Sequence, residues 1–152
     1  LVGHHDQAVE LADTWSNETR VLTDRMWPGP LTIIVPARSD ALHPLVQITM
    51  PGARPPRLLC RHAGPLATVA LRRADGRPIV TAADVQARFS DVDVALIIDG
   101  GTCHGPGPTV VDCTTSPPTV RFAGALPESF VDAALMMSRR RRRWFAGRKG
   151  QG

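Results

Sequence analysis

The sequence predicts a single mixed α/β domain, and three observations carry that reading. A chain of 152 residues, 43% hydrophobic and 21% charged, has room for one core and not for two full domains. Short β-branched apolar runs bounded by proline or glycine, such as Leu31 to Val35 between Pro30 and Pro36, read as strands. Stretches with apolar residues at helical spacing alternate with these runs, and no internal repeat is present.

From Asp6 to Met26 the residues Ala8, Leu11, Ala12, Trp15, Val21 and Leu22 recur at helical spacing. A break near Ser16-Asn17, where a cap residue fits, gives two short helices. Pro28, Gly29 and Pro30 stop the second helix and turn the chain into the strand Leu31 to Val35. Val46 to Met50 is a weaker strand, closed by Pro51-Gly52, and Pro56 to His62 forms a brief helix. Leu66 to Leu71 reads as a strand, followed by a turn at Asp75-Gly76. Thr81 and Asp84 form a weak capping box that opens a helix through Phe89. The run Val92 to Asp99, rich in Val, Ile and Leu, predicts a central strand leading into the flexible stretch Gly100 to Gly105. Two further strands, Thr109 to Cys113 and Thr119 to Phe122, precede a closing helix from Glu128 to Met137, with Pro127 suited to its first turn.

Charge is divided unevenly. The formal net charge is +4, but seven of the 18 basic residues follow Ser138, whereas the first 138 residues hold 11 arginines against 14 acids, a net of −3. The high isoelectric point is therefore a property of the tail and gives no support for a basic nucleic-acid-binding face on the body. Lys149 is the only lysine. Cys60, Cys103 and Cys113 lack paired C-x-x-C spacing, so they read as buried thiols and not as a disulfide framework or zinc site. No apolar run approaches the roughly 20 residues of a membrane helix, and Leu1 to Asp6 has no leader pattern, so the expectation is a cytoplasmic protein without a membrane partner. His4-His5 and Cys103-His104 lack the further partners that would make a metal site, and no metal is expected.

Trp27-Pro28-Gly29-Pro30-Leu31-Thr32 fixes a turn with two prolines around a glycine and offers Trp27 as a core anchor. Gly64-Pro65-Leu66-Ala67-Thr68, Asp99-Gly100-Gly101, Thr109-Val110-Val111-Asp112 and Arg121 with Gly124 follow in order. Each of these strings taken alone is weak, but their order and spacing from about Leu1 to Ala125 resemble the YrdC-like domain family.

The resemblance implies a twisted mixed β-sheet flanked by helices, an α+β arrangement with a concave face. Residues 1–137 would form a partial YrdC-like domain with amino-terminal strands missing, and residues 138–152 a basic, disordered tail. It also implies the family's reaction: ATP, L-threonine and bicarbonate give threonylcarbamoyl-AMP and pyrophosphate, for tRNA modification. ATP and Mg²⁺ would be ligands, with no tightly bound cofactor. Carried over position by position, the nucleotide- or substrate-binding candidates are Thr32, Thr68, Thr109, Asp112 and Arg121.

Departures from the family pattern point to impaired or lost catalysis. The Pro-Thr-Asp-Thr-x-Tyr-Gly-Leu segment and the phosphate-meeting Lys-x-Arg motif do not occur. The Thr-Ser-Ala-Asn position reads Thr68-Val69-Ala70-Leu71, which replaces hydrogen-bonding groups with apolar ones. Pro108 stands where a serine is usual, and Thr49 where an arginine is usual. A second reading is therefore a non-catalytic nucleotide- or RNA-binding module, with Arg139, Arg140, Arg141, Arg142 and Arg143 as RNA-contact candidates and Trp144 available to stack on a base. The uncovered sheet edge left by missing strands implies a homo-oligomer or a partner that supplies them.

Overall fold

A computed structural model describes residues 1–73, 75–89 and 94–137. Helices α1 (His5–Leu11) and α2 (Asn17–Met26) lead into strands β1 (Leu31–Pro36) and β2 (Leu45–Thr49). Next come α3 (Arg54–Ala63) and α4 (Ala82–Arg88), then β3 (Thr109–Asp112), β4 (Thr119–Phe122) and a helix α5 over residues 128–137. The expected break between the first two helices is present: Ser16 is the N-cap of α2, and its hydroxyl accepts from the Thr19 amide at 3.0 Å.

The strands form one mixed sheet in the order β2-β1-β3-β4, with β1 antiparallel to β2, parallel to β3, and β3 antiparallel to β4. Strand β1 is central because its sequence is apolar but for Thr32: Leu31, Ile33 and Val35 are fully buried and Thr32 is nearly so. Side chains alternate along strands, and the register carries the alternation across the sheet. One face therefore presents Leu31, Ile33 and Val35 beside Val111 and Ile48, and it makes the core with Leu22, Val131, Ala134 and Leu135. The other face presents Thr32, Ile34, Val110 and Asp112 beside Thr49.

Trp27 anchors the turn into β1 as its sequence implies: the ring is buried, and its Nε1–H donates to the Leu31 carbonyl at 2.8 Å. The Gly29 amide donates to the Met50 carbonyl at 3.0 Å, and a Cβ at Gly29 would collide with the Met26 carbonyl, so the close turn needs glycine.

Two compact units partition the chain. The first, residues 1–66 and 107–152, contains the sheet and every buried residue among those described. The second, Ala67–Pro106, holds α4, whose N-cap Thr81 accepts from the Asp84 amide at 3.1 Å. Polar contacts organise this unit: Arg73 meets Asp84 at 2.7 Å, Arg77 meets Asp75 at 2.7 Å, and Arg72 bridges to Pro78.

Three expectations need correction here. Leu66 to Leu71 is not a strand: Leu66 exchanges both backbone hydrogen bonds with Leu1 at 2.6 and 3.0 Å, and at the other end the Leu71 carbonyl accepts from the Ile79 amide at 3.1 Å. The expected central strand is absent over residues 94–99, and residues 92 and 93 lie outside those described. Leu96 and Ile98 are 71% and 49% exposed: the run has strand composition, but among the described residues no strand pairs with it. Cys103 is exposed, in a glycine-rich stretch of the second unit that has no buried residue among those described, whereas Cys60 and Cys113 are buried.

Candidate functional site

The open face of the sheet gathers three of the five candidate residues. Asp112 ends β3 with its side chain only 6% exposed, and Arg121 lies on the edge strand β4 with its side chain 65% exposed. Val110 pairs with Phe122 and Val111 pairs with Val120, so Arg121 is the unpaired extra residue of a β-bulge. A bulge re-aims a side chain, and here it directs the guanidinium back to Asp112. Both Nε and Nη2 of Arg121 reach Asp112 Oδ2 at 3.0 Å.

The other carboxylate oxygen is equally engaged. Asp112 Oδ1 accepts from the Thr114 hydroxyl at 2.6 Å and the Thr114 amide at 2.9 Å. These hydrogen bonds, first that of the Thr114 hydroxyl, hold the carboxyl below the usual carboxylate range; burial opposes the shift, and the Arg121 charge adds to it. Asp112 is thus an ionised clamp for Arg121 and has little capacity left to accept a ligand proton. Thr114 was not among the candidates, although Asp-x-Thr is the spacing of a side chain that bonds the backbone two residues on.

Thr32 shares the Asp112 face, but its hydroxyl is tied to that of Thr49 at 2.6 Å, directly across the β1–β2 ladder. Thr109 lies on the opposite, core-facing side. Its hydroxyl donates to the Leu126 carbonyl at 2.7 Å and accepts from the Gly124 and Leu126 amides at 2.9 and 3.0 Å. Its amide donates to the Pro30 carbonyl at 2.9 Å, so the amide and the hydroxyl of Thr109 both serve the fold. Gly124 crosses so close to Gly107 and Pro108 that a Cβ there would collide with their backbone. Thr68 is exposed and belongs to the second unit. Arg139 to Arg143 and Trp144 lie outside the described residues.

Cys113 follows Asp112 directly and is no nucleophile. Burial pushes its thiol up to about 11, Thr19 opposes the shift, and the Asp112 charge adds to it. Among the described residues no group of three or more His, Cys, Asp or Glu is placed to hold a metal, and no helix is long and apolar enough to cross a membrane.

Comparison with known proteins decides the family. The model of the Sua5/YciO/YrdC family, described as "Telomere recombination", matches residues 1–123. The chain belongs to the YrdC-like family. Threonylcarbamoyl-AMP synthase of Bacillus subtilis is 30% identical over 137 residues, covering 85% of this chain and 40% of that protein. A doubly substituted Sua5 of Pyrococcus abyssi superposes with a TM-score of 0.78 at 26% identity, over 87% of this chain and 40% of that one. The same archaeal protein solved with L-threonine gives 0.74 at 26% identity, over 88% and 41%. This YrdC-like chain thus spans about two fifths of the length of these relatives. Its relationship to the enzymes of threonylcarbamoyl-adenosine synthesis, and its mixed-sheet fold, rest on these matches together.

Proposed function

We propose that this chain is a YrdC-like nucleotide-binding module that holds a phosphate at Arg121 and does not by itself make threonylcarbamoyl-AMP. The observation that carries the proposal is how the candidate polar groups are used. The hydroxyls of Thr109 and Thr32 and both oxygens of Asp112 are engaged within the protein, while the Arg121 side chain is 65% exposed. Formation of an acyl-adenylate from ATP requires several cations and donors around the triphosphate, because charge develops on the leaving pyrophosphate. Arg121 is one cation, already paired with Asp112, and residues 1–137 contain no lysine.

On this reading ATP with Mg²⁺ is the ligand, and L-threonine and bicarbonate become substrates only when further polypeptide completes the site. The exposed run at Val94, Leu96, Ile97 and Ile98 supports that requirement, since it has strand composition and no described strand beside it. Further polypeptide of this protein, a second copy or a separate partner chain would supply the complement.

Thermal melts with and without saturating ATP and Mg²⁺ test the binding step, because a ligand that binds only the folded state raises its stability by mass action. The expected result is an upshift in the parent chain that Arg121→Ala abolishes. No upshift, or one that Arg121→Ala leaves intact, contradicts the proposal.

A further inference from the structure

Helix α5 buries one face and leaves an apolar stripe on another. Val131, Ala134 and Leu135 face the core, whereas Phe130, Met136 and Met137 are 63%, 64% and 54% exposed. With 3.6 residues per turn, Phe130, the exposed Ala133 and Met137 fall within about 60° of one another along about 10 Å of helix, and Met136 widens the stripe. Single exposed apolar side chains are ordinary, but three on one helical stripe mark a contact surface.

Helix α2 adds a cation at one end of the stripe. Arg25, exposed in the last turn of α2, donates from Nη1 to Sδ of Met137 at 3.2 Å. A thioether is a weak acceptor, so the contact places the guanidinium beside Met137 without offsetting its charge. Phe130 stands two turns earlier, at the other end. The stripe therefore has an aromatic ring at one end, a sulfur with a cation at the other, and the small Ala133 between them. On the far flank Glu128 and Asp132 are exposed and make no ion pair among the described residues.

We propose that this face pairs with a second copy of itself, the two α5 helices running antiparallel about a twofold axis near Ala133. Such an axis brings each flank against the same flank of the other copy with its ends exchanged. Phe130 of each copy then meets Met137 and Arg25 of the other, which gives two sulfur–aromatic and two cation–π contacts. Ala133 meets its own counterpart at the axis, where a small side chain lets the helices approach. On the acidic flank, Glu128 of each copy faces the other's chain at Met137, from which the sequence continues into Arg139 to Arg143. An anionic membrane fits less well, since Glu128 and Asp132 flank the stripe where an interfacial helix carries basic residues. A ten-residue helix is about 15 Å long, and a contact built on it covers less than roughly 800 Å² per partner, the size of a standard interface. The dimer therefore forms and dissociates with concentration. The inference uses no residue of the Asp112–Arg121 site and none of the exposed run at Val94 to Ile98.

Sedimentation of the full chain at concentrations from about 1 µM to about 1 mM tests the pairing. The expected result is a monomer–dimer equilibrium that Phe130→Glu abolishes. Arg25→Ala should weaken the dimer about tenfold, through the loss of two exposed cation–π contacts. Both side chains are exposed, so neither variant removes core packing. Cross-linking then checks the register. In a Cys103→Ser background, Ala133→Cys should link two copies on oxidation, because it lies at the axis. Glu128→Cys should not, since its two copies lie about 16 Å apart along the helices, beyond the roughly 7 Å that a disulfide spans. A chain that stays monomeric throughout, a dimer that Phe130→Glu or Arg25→Ala leaves unchanged, or cross-linking at position 128 in place of 133 overturns the proposal.

Discussion

Thr109 carries three hydrogen bonds on one hydroxyl, and their partners at Gly124 and Leu126 lie 15 and 17 residues away. Motif order made Thr109 a ligand candidate, but its use was not legible in the sequence because it depends on a chain crossing that only the fold creates. Thr109→Val keeps the shape and leaves two N–H groups and one carbonyl without partners. Each such group costs about 1–3 kcal/mol when buried, and these three are part-buried, so the low end applies and the expected loss is about 3 kcal/mol. Urea unfolding checks this, as a lower midpoint with an unchanged slope. Asp112 supplies a pH test. Its folded pKa lies below its ordinary value, so the stability it contributes is fully present at neutral pH and is lost as the pH falls through the carboxylate range toward the depressed value. Asp112→Asn should therefore be less stable than the parent near neutral pH, and the gap should narrow between about pH 5 and about pH 3. A gap that stays constant on acidification contradicts the ionised clamp.

At the scale of elements, punctuation was the legible part of the sequence. Ser16, Thr81, Pro30 and Pro51-Gly52 set ends by local chemistry, and the corresponding helices and strands formed within a residue or two of expectation. Strands were less legible, since composition reports that a segment suits a sheet and not that a neighbour is present. Leu31–Pro36 and Val94 to Ile98 read alike in the sequence, yet only the first has a strand on each side. The contrast predicts unequal costs of truncation. Ile33→Ala removes a fully buried side chain and should cost about 2–5 kcal/mol. Leu96→Ala removes an exposed one and should stay within about 0.5 kcal/mol. Equal losses in denaturant titrations would show that residues 94–98 are buried in solution.

For the molecule as a whole, family membership rests on the matches, and the absence of catalysis by this chain alone is our proposal. The order of five short motifs was enough to read the family from the sequence, and the fold keeps those motifs as turns, caps and crossings: Trp27 as an anchor, Gly124 as a close approach, Thr109 as a backbone clamp. What they preserve is architecture; under the proposed function Arg121, 65% exposed, is the cation that meets a ligand on the Asp112 face. The most direct test is L-threonine-dependent release of pyrophosphate from ATP by the purified chain, with Mg²⁺ and bicarbonate present. Release no greater than in the absence of L-threonine is the predicted result. Sustained turnover that requires L-threonine would contradict it, since one partly neutralised arginine would then suffice for the chemistry.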